Sequence, residues 1–443
     1  MARASNYRAR PEAAGWQSRL AAAQLVWAAM ARGEDLETAM GSSPAFRSLE
    51  GPDRGFARAI ASAALRAVGR IDWALGGMVQ RPLADIEPPV LALLRVGAAQ
   101  LWLMKVAGHA AVSATVEAAA HWDIARRGGG LINAVLRRVA RESDAFDASP
   151  AEAVWPDWLA AKLKSALGAD RAHEMARLQL EEPAIDLTLR DADDAAGWAE
   201  KLGGELLPNG TIRLGDGAGL VDLPGYDEGA WWVQDVAASL PVALLGDVRG
   251  LAVADLCAAP GGKAMQLAAR GARLSAIEMS AQRIERLREN VARTGVSVEL
   301  VQADARTWRP QERLDAVLLD APCSALGVIR RHPEGVWRRD PKDFARYPMV
   351  QRAMVDAASE MLKPGGTLVY SVCTPSPEEG REVVEAAIAS GAWKRRPFGA
   401  GEAPGFDHSL TPEGDLLTAP AASAAGAPQT QCDVFFVARL ERI

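Results

Sequence analysis

An all-α bundle, then a small α+β region, then a doubly wound α/β domain is the multidomain architecture this sequence predicts, on three observations. The chain has 443 residues, too many for one ordinary domain and enough for two or three separate cores. From Arg19 to about Val139 it is rich in alanine, leucine and arginine, with apolar residues at helical spacing, as in Pro89-Val-Leu-Ala-Leu-Leu-Arg-Val-Gly-Ala-Ala-Gln-Leu-Trp102. From Leu251 onward short apolar runs alternate with helical segments, the signature of a mostly parallel sheet covered by helices.

Helix breaks are expected at Gly41 to Pro44, Gly51-Pro52, Arg81-Pro82 and Gly128 to Gly130. The polar stretch Glu142 to Pro156 reads as a linker, which sets a first domain at 1–142. One or two helices are expected over Trp158 to Leu180. Ile185 to Tyr226 then turns to short β-like runs, with Asn209-Gly210 favouring a tight hairpin, giving a small α+β region over 143–230. In the last domain, 231–443, strands are expected at Leu251 to Leu256, Arg273 to Ile277, Ser297 to Val301, Ala316 to Leu319 and Thr367 to Ser371. Helices are expected from Lys263, Ser280, Asp343 and Glu378. Ala403 to Gln431 is rich in Ala, Pro and Gly and reads as loop, before a closing strand over Val434 to Leu440.

Four cysteines without a CxxC pair and only five histidines point to a reducing, cytoplasmic setting with free thiols and no metal site. No run of eighteen apolar residues occurs, so no membrane partner is expected, and the start Met1 to Trp16 reads as a short basic arm. The net charge of −6 conceals a split. Residues 1–142 carry 18 Arg+Lys against 12 Asp+Glu, a surplus of 6, so the remainder carries −12. Nucleic-acid phosphates respond to such local surpluses, not to the sum.

Asp255-Leu-Cys257-Ala258-Ala259-Pro260-Gly261-Gly262-Lys263 ends the first strand of the α/β domain and opens a helix, where small residues let backbone approach a ligand. Its spacing is not that of a dinucleotide loop. Glu278 ends the next strand, where a carboxylate can accept two ribose hydroxyls, and Asp304 closes the third, where it can accept from an exocyclic amine. Taken together these demands fit S-adenosylmethionine.

Two thiols follow later strand ends: Cys323 in Asp320-Ala-Pro-Cys323-Ser-Ala-Leu-Gly327, and Cys373 in Val372-Cys373-Thr374-Pro375. In an open parallel sheet both ends face one crevice, so both thiols could reach one base. Carbon 5 of cytosine is a poor nucleophile until a group adds to carbon 6, and a thiolate suits that addition. Such a thiol needs a nearby cation; Lys263 and the Arg330-Arg331-His332 cluster are candidates, the cluster also for RNA phosphate. Cys432 reads instead as a small buried apolar residue. The residues alone leave open which of Cys323 and Cys373 attacks.

At these motifs the chain resembles the Sun/RsmB family of bacterial 16S rRNA (cytosine-5)-methyltransferases, over nearly its whole length. Ala110-Ala-Val-Ser-Ala-Thr-Val-Glu117 and Gly130-Leu-Ile-Asn-Ala-Val-Leu-Arg-Arg138 resemble a NusB-like helical RNA-binding domain. Trp232-Val-Gln-Asp235 resembles the segment before the Rossmann-like catalytic domain, and Asp255 to Lys263, Asp320 to Pro333 and the Cys373 strand resemble its core motifs. The resemblance implies S-adenosylmethionine held by Cys257 to Lys263, Glu278, Asp304 and Asp320. It also implies Cys373 as nucleophile, Cys323 assisting release, and a monomer acting on 16S rRNA or a small-subunit assembly intermediate, at cytosine 967 by default. DNA cytosine methyltransferases use the Pro-Cys cysteine, which keeps Cys323 as the rival nucleophile.

The chain departs from the family pattern at Glu278 for Asp, Ala264 and Gln266 for Thr and His, Thr374-Pro375 for Ser-Val, and Cys432-Asp-Val434 for Asp-Gly. Two alternatives follow: an RNA-binding assembly or antitermination factor with an inert methyltransferase half, or the same chemistry on tRNA or another rRNA site.

Overall fold

The computed structural model describes residues 15–215, 219–420 and 431–443. Of the basic arm expected over Met1 to Trp16, residues 1–14 lie outside the described residues, as does the part of the Ala/Pro/Gly-rich loop over 421–430. The described residues form two compact units, one drawn from Met1–Ala161, Ala176–Glu181 and His332–Arg339, the other from Lys162–Met175, Glu182–Arg331 and Asp340–Ile443.

The first unit is helical: α1 (Trp16–Ala31), α2 (Leu36–Ser42), α3 (Pro44–Arg47), α4 (Gly51–Arg66), α5 (Val68–Gly76), α6 (Pro88–Trp102), α7 (Gly108–Ala120) and α8 (Gly129–Arg141). The expected breaks turn out mostly to be helix starts. Pro44, Pro52 and the Pro88-Pro89 pair sit in first turns, where a missing N–H costs nothing. Helix α6 is buried on nearly every side and forms the axis of the bundle. Helix α8 buries Ile132, Val135, Leu136 and Val139 at the i, i+3, i+4, i+7 spacing of a single face. That face meets α6 at Gly97, where an added Cβ would lie 2.4 Å from a Leu136 methyl.

Glu142 to Pro156 is not a solvated linker. Phe146 is buried against Trp102, with ring centroids 5.7 Å apart, while the Arg70 guanidinium covers Phe146 and donates to Ser149 Oγ at 2.7 Å. Val154 and Trp155 are buried too, so apolar anchors hold the segment despite its polar composition.

Helices α9 (Asp157–Leu167) and α10 (Ala169–Leu178) follow. Residues of the expected α+β region from 182 onward group with the second unit. They form an antiparallel sheet of β1 (Ile185–Leu189), β2 (Glu205–Leu206), β3 (Ile212–Leu214) and β4 (Trp231–Val233) in the order β2-β3-β1-β4. Helix α11 (Ala195–Leu202), not expected from sequence, crosses between β1 and β2. Asn209-Gly210 does turn the β2–β3 hairpin, with Gly210 at φ 86°.

After α12 (Val236–Ala243) comes the main sheet: β5 (Ala252–Leu256), α13 (Gly262–Ala269), β6 (Arg273–Glu278), α14 (Ala281–Thr294), β7 (Glu299–Gln302), β8 (Leu314–Asp320), α15 (Arg346–Met361), β9 (Leu362–Val372), α16 (Arg381–Ala389), β10 (Trp393–Arg395), β11 (Leu416–Leu417) and β12 (Phe436–Arg442). The order is β10-β12-β9-β8-β5-β6-β7, with β11 on β12. Strands β7, β6, β5, β8 and β9 are parallel, as expected; the closing strand β12 inserts antiparallel beside β9. The order reverses between β5 and β8, so the C-terminal ends of β5, β8 and β9 open on one crevice.

Candidate active site

The loop after β5 is held by its own backbone geometry. Cys257 sits at φ 69°, a region that side chains with a Cβ rarely occupy, and Gly261 at φ 116°, where a Cβ would meet Leu287 at 2.7 Å. The Arg283 guanidinium donates to the Ala259 carbonyl and Asn290 Nδ2 to the Pro260 carbonyl at 2.8 Å, so the turn is pinned from α14. Gln266, one of the departures from the family pattern, is buried and accepts from Gln234 Nε2 at 2.7 Å, so this position keeps a polar tie of its own.

Beside this loop lie carboxylates with unused acceptors. Asp255 is 1% exposed and neither oxygen accepts a hydrogen bond. Burial pushes its carboxyl up to about 8; Lys263 works against that, while Asp320 and Glu278 add to it. Glu278 Oε1 accepts from the Ser280 amide at 2.9 Å, whereas buried Oε2 accepts no hydrogen bond, with the Arg283 guanidinium 3.4 Å away. Buried acceptors of this kind are normally satisfied. An ammonium and a pair of ribose hydroxyls would satisfy these, so the residues present fit S-adenosylmethionine. Asp304 is placed differently from expectation. It lies two residues beyond the end of β7, and the Arg306 backbone and guanidinium occupy both its oxygens and hold its carboxyl below the usual range.

The thiols lie on the neighbouring strand ends. Parallel pairing of β8 with β9 sets Asp320 opposite Ser371, and the chain then delivers Cys323 and Cys373 with their Sγ atoms 3.3 Å apart. Asp320 sits at the centre of the polar group, accepting from Lys263 Nζ at 2.8 Å and from Ser371 Oγ at 2.9 Å. Burial opposes the Lys263 ammonium, but Asp320, by charge and hydrogen bond, and then Asp255 outweigh it and raise its pKa. The Cys373 thiol is raised well above its ordinary range by the hydrogen bond with Cys323, by burial and by Asp320, with Lys263 opposing. Cys257 is pushed up to about 12 by burial and the carboxylates Asp255, Asp320 and Glu278. Cys432 is buried, as expected.

Within the Arg330-Arg331-His332 cluster, Arg330 is not where a phosphate contact needs it. Arg330 is 4% exposed, with Nε on Asp433 at 2.7 Å and a second nitrogen on Asp235 at 2.6 Å; Arg331 repeats the pattern at 2.9 and 2.6 Å. Arg330 therefore presents no face to RNA, which corrects that expectation for this residue. Arg331 is partly exposed with both hydrogen-bonding arms engaged, and His332 is exposed.

Other residues the sequence did not single out also shape the site. Glu379 is buried, accepting from the Ser324 amide at 2.8 Å and Gln351 Nε2 at 3.1 Å, and Gln351 also donates to the Pro322 carbonyl at 2.9 Å. Ser324 Oγ donates to Thr374 Oγ1 at 3.0 Å. These contacts span 28 to 55 residues of sequence, beyond any local motif.

Two family models match the chain: 16S rRNA methyltransferase RsmB/F over residues 243–441, and the NusB family over 17–141. The chain is 34% identical over 382 residues to the ribosomal RNA small subunit methyltransferase B of Erwinia tasmaniensis, covering 82% of this chain and 87% of that one. It is also 34% identical to the protein of that name from Salmonella arizonae, over 83% of this chain and 89% of the relative. Among solved structures, PH0851 aligns with a TM-score of 0.74 and 22% identity over 96% of this chain and 98% of its own. NSun6 from Pyrococcus horikoshii aligns at 0.53 and 21%, over 65% and 98%. These two show the shared fold. With a relative 34% identical across most of both lengths, the chain belongs to the RsmB/F family of 16S rRNA methyltransferases.

Proposed function

We propose that this protein methylates carbon 5 of a cytosine in 16S rRNA through a covalent adduct on Cys373, with cytosine 967 as the default target. The observation that carries the reading is the pair of sulfurs 3.3 Å apart beside the Lys263–Asp320 ion pair, at the mouth of a loop with unsatisfied buried acceptors. When bound, S-adenosylmethionine supplies an electrophilic methyl group. Asp255, Glu278 and the loop Cys257 to Lys263 are the groups that would hold it, with Asp304 on the adenine side if Arg306 gives way.

The target base is flipped out of the RNA to reach so recessed a site. Cys373 Sγ bonds to carbon 6, and the displaced electron pair moves into the ring, which turns carbon 5 into a nucleophile. The Lys263–Asp320 pair stabilises the charge the ring gains. After methylation the carbon 5 proton passes to water, the pair it leaves forms the carbon 5–carbon 6 double bond and expels the Cys373 thiolate, and Cys323, already hydrogen-bonded to the leaving sulfur, assists release. The thiol of Cys373 starts protonated, so its proton passes to the ring nitrogen that receives the displaced electron pair as the sulfur adds.

Bisulfite sequencing of 16S rRNA from a strain lacking the gene, with and without the gene restored, tests the reading. Loss of protection at cytosine 967 on deletion and its return on complementation is expected. Unchanged protection there, or a change confined to tRNA, contradicts it.

A further inference from the structure

We propose that Arg330, Arg331, Asp235 and Asp433, acting through Gly327, form a positioning device that sets where Cys373 stands relative to Cys323. The inference rests on the proposed role of Cys373 and deepens it. Cys373 lies just past the last residue of β9, where the ladder with β12 ends at the Val372–Phe436 pair. Beyond that point the Cys373 carbonyl accepts from the Gly327 amide at 2.9 Å, and the Gly327 carbonyl accepts from the Val434 amide at 3.0 Å. Gly327 is thus threaded between the nucleophile and the closing strand. A Cβ there would lie 2.0 Å from the Val434 carbonyl oxygen and 2.9 Å from that of Cys373, so only glycine passes.

The same loop carries Cys323 at one end and the two arginines at the other. Its near end is tied by the Ser324–Thr374 hydroxyl bond, one residue from each thiol. Its far end is bolted by Arg330 and Arg331 onto Asp433, one residue before Val434, and onto Asp235, whose own Oδ1 accepts the Asp433 amide at 3.1 Å. Four charges so enclosed are a poor source of stability, because apolar residues of similar volume do as well or better. What planar guanidinium forks on two carboxylates provide is direction and register. A loop fixed at both ends and stitched at Gly327 leaves the two sulfurs one arrangement.

The test uses the full-length protein and three measurements: single-turnover methyl transfer to 16S rRNA, S-adenosylmethionine affinity by calorimetry, and Tm. Arg330→Gln and Asp433→Asn each leave a buried charge unmatched and lower both Tm and rate, whereas the double variant removes both charges and regains Tm. Its rate is expected to stay on the order of a hundredfold below wild type, the penalty of a displacement of about 1 Å, with cofactor affinity within about twofold. A rate that recovers with Tm, or a rate loss matched by lost cofactor affinity, overturns the inference. Should those variants fail to fold, Arg331→Gln on the half-buried arm gives the same comparison: slower transfer at near-wild-type Tm supports it and an unchanged rate overturns it. RNA carrying 5-fluorocytosine separates the two levels. No adduct with wild type defeats the cysteine reading itself, while an adduct formed at the wild-type rate by Arg331→Gln defeats only the positioning device.

Discussion

The two units bury different chemistry. The helical unit fills its interior mainly with alanine, leucine, valine, isoleucine and a few aromatics; among its described residues it buries two arginines, Arg19 and Arg95, and one carboxylate, Glu334 on the segment 332–339. The second unit buries Asp186, Asp235, Asp255, Glu278, Glu379, Asp415 and Asp433, and Arg330 with them. An apolar interior needs only volume and pattern, so the first unit is held by packing. Buried charge costs several kcal/mol per ion unless paired, so a fold that retains this much of it does so for orientation or chemistry.

That contrast predicts where substitutions act. In the second unit Asp320→Asn keeps the shape but removes the charge that holds Lys263 and Ser371. Methyl transfer should fall by roughly 10²–10⁴, with a drop in Tm because the largely buried Lys263 loses its partner; a fall below tenfold in rate would show that the ion pair is not part of the chemistry. In the first unit Leu136→Ala opens a cavity against Gly97 and should cost about 2–5 kcal/mol in denaturant unfolding. S-adenosylmethionine affinity should be untouched, and a matching loss of affinity would blur the distinction.

Asp255→Asn sharpens the comparison through pH. A carboxyl raised from 3.8 to about 8 costs the folded state nothing below pH 4, an increasing amount between pH 4 and 8, and a constant amount above. The amide variant should therefore match wild type near pH 4 and be more stable by roughly 1–3 kcal/mol at pH 8, allowing for relaxation around the site. Its cofactor affinity should fall; equal stability at both pH values would mean that the carboxyl is not strained. The smallest effect is expected at Arg306→Ala. An ion pair this exposed contributes little, because water screens it. Freeing Asp304 should leave Tm nearly unchanged and tighten cofactor binding, and weaker binding would assign Arg306 itself to the cofactor.

Local signals carried much of this molecule. Strand ends at Leu256, Glu278, Asp320 and Val372 were legible because parallel strands are short apolar runs and the glycine loop follows one of them directly. The convergence of Cys323 and Cys373 followed from adjacent strand ends. Asp304 was legible as a position, but not its capture by a neighbour two residues on. Arg330 misled, because an arginine after a catalytic motif looks like a phosphate grip, while its partners lie 95 and 103 residues away. The insertion of β12 between β9 and β10 was equally hidden: antiparallel pairing across so long a stretch of chain leaves no periodicity to read.

The division of labour between the sulfurs is tested most directly by incubating Cys323→Ala and Cys373→Ala with 16S rRNA and S-adenosylmethionine and running denaturing gels. Cys373→Ala is expected neither to methylate nor to cross-link, and Cys323→Ala to accumulate a protein–RNA band that survives denaturation. A trapped band with Cys373→Ala, and none with Cys323→Ala, would contradict it and assign the attack to the Pro-Cys thiol.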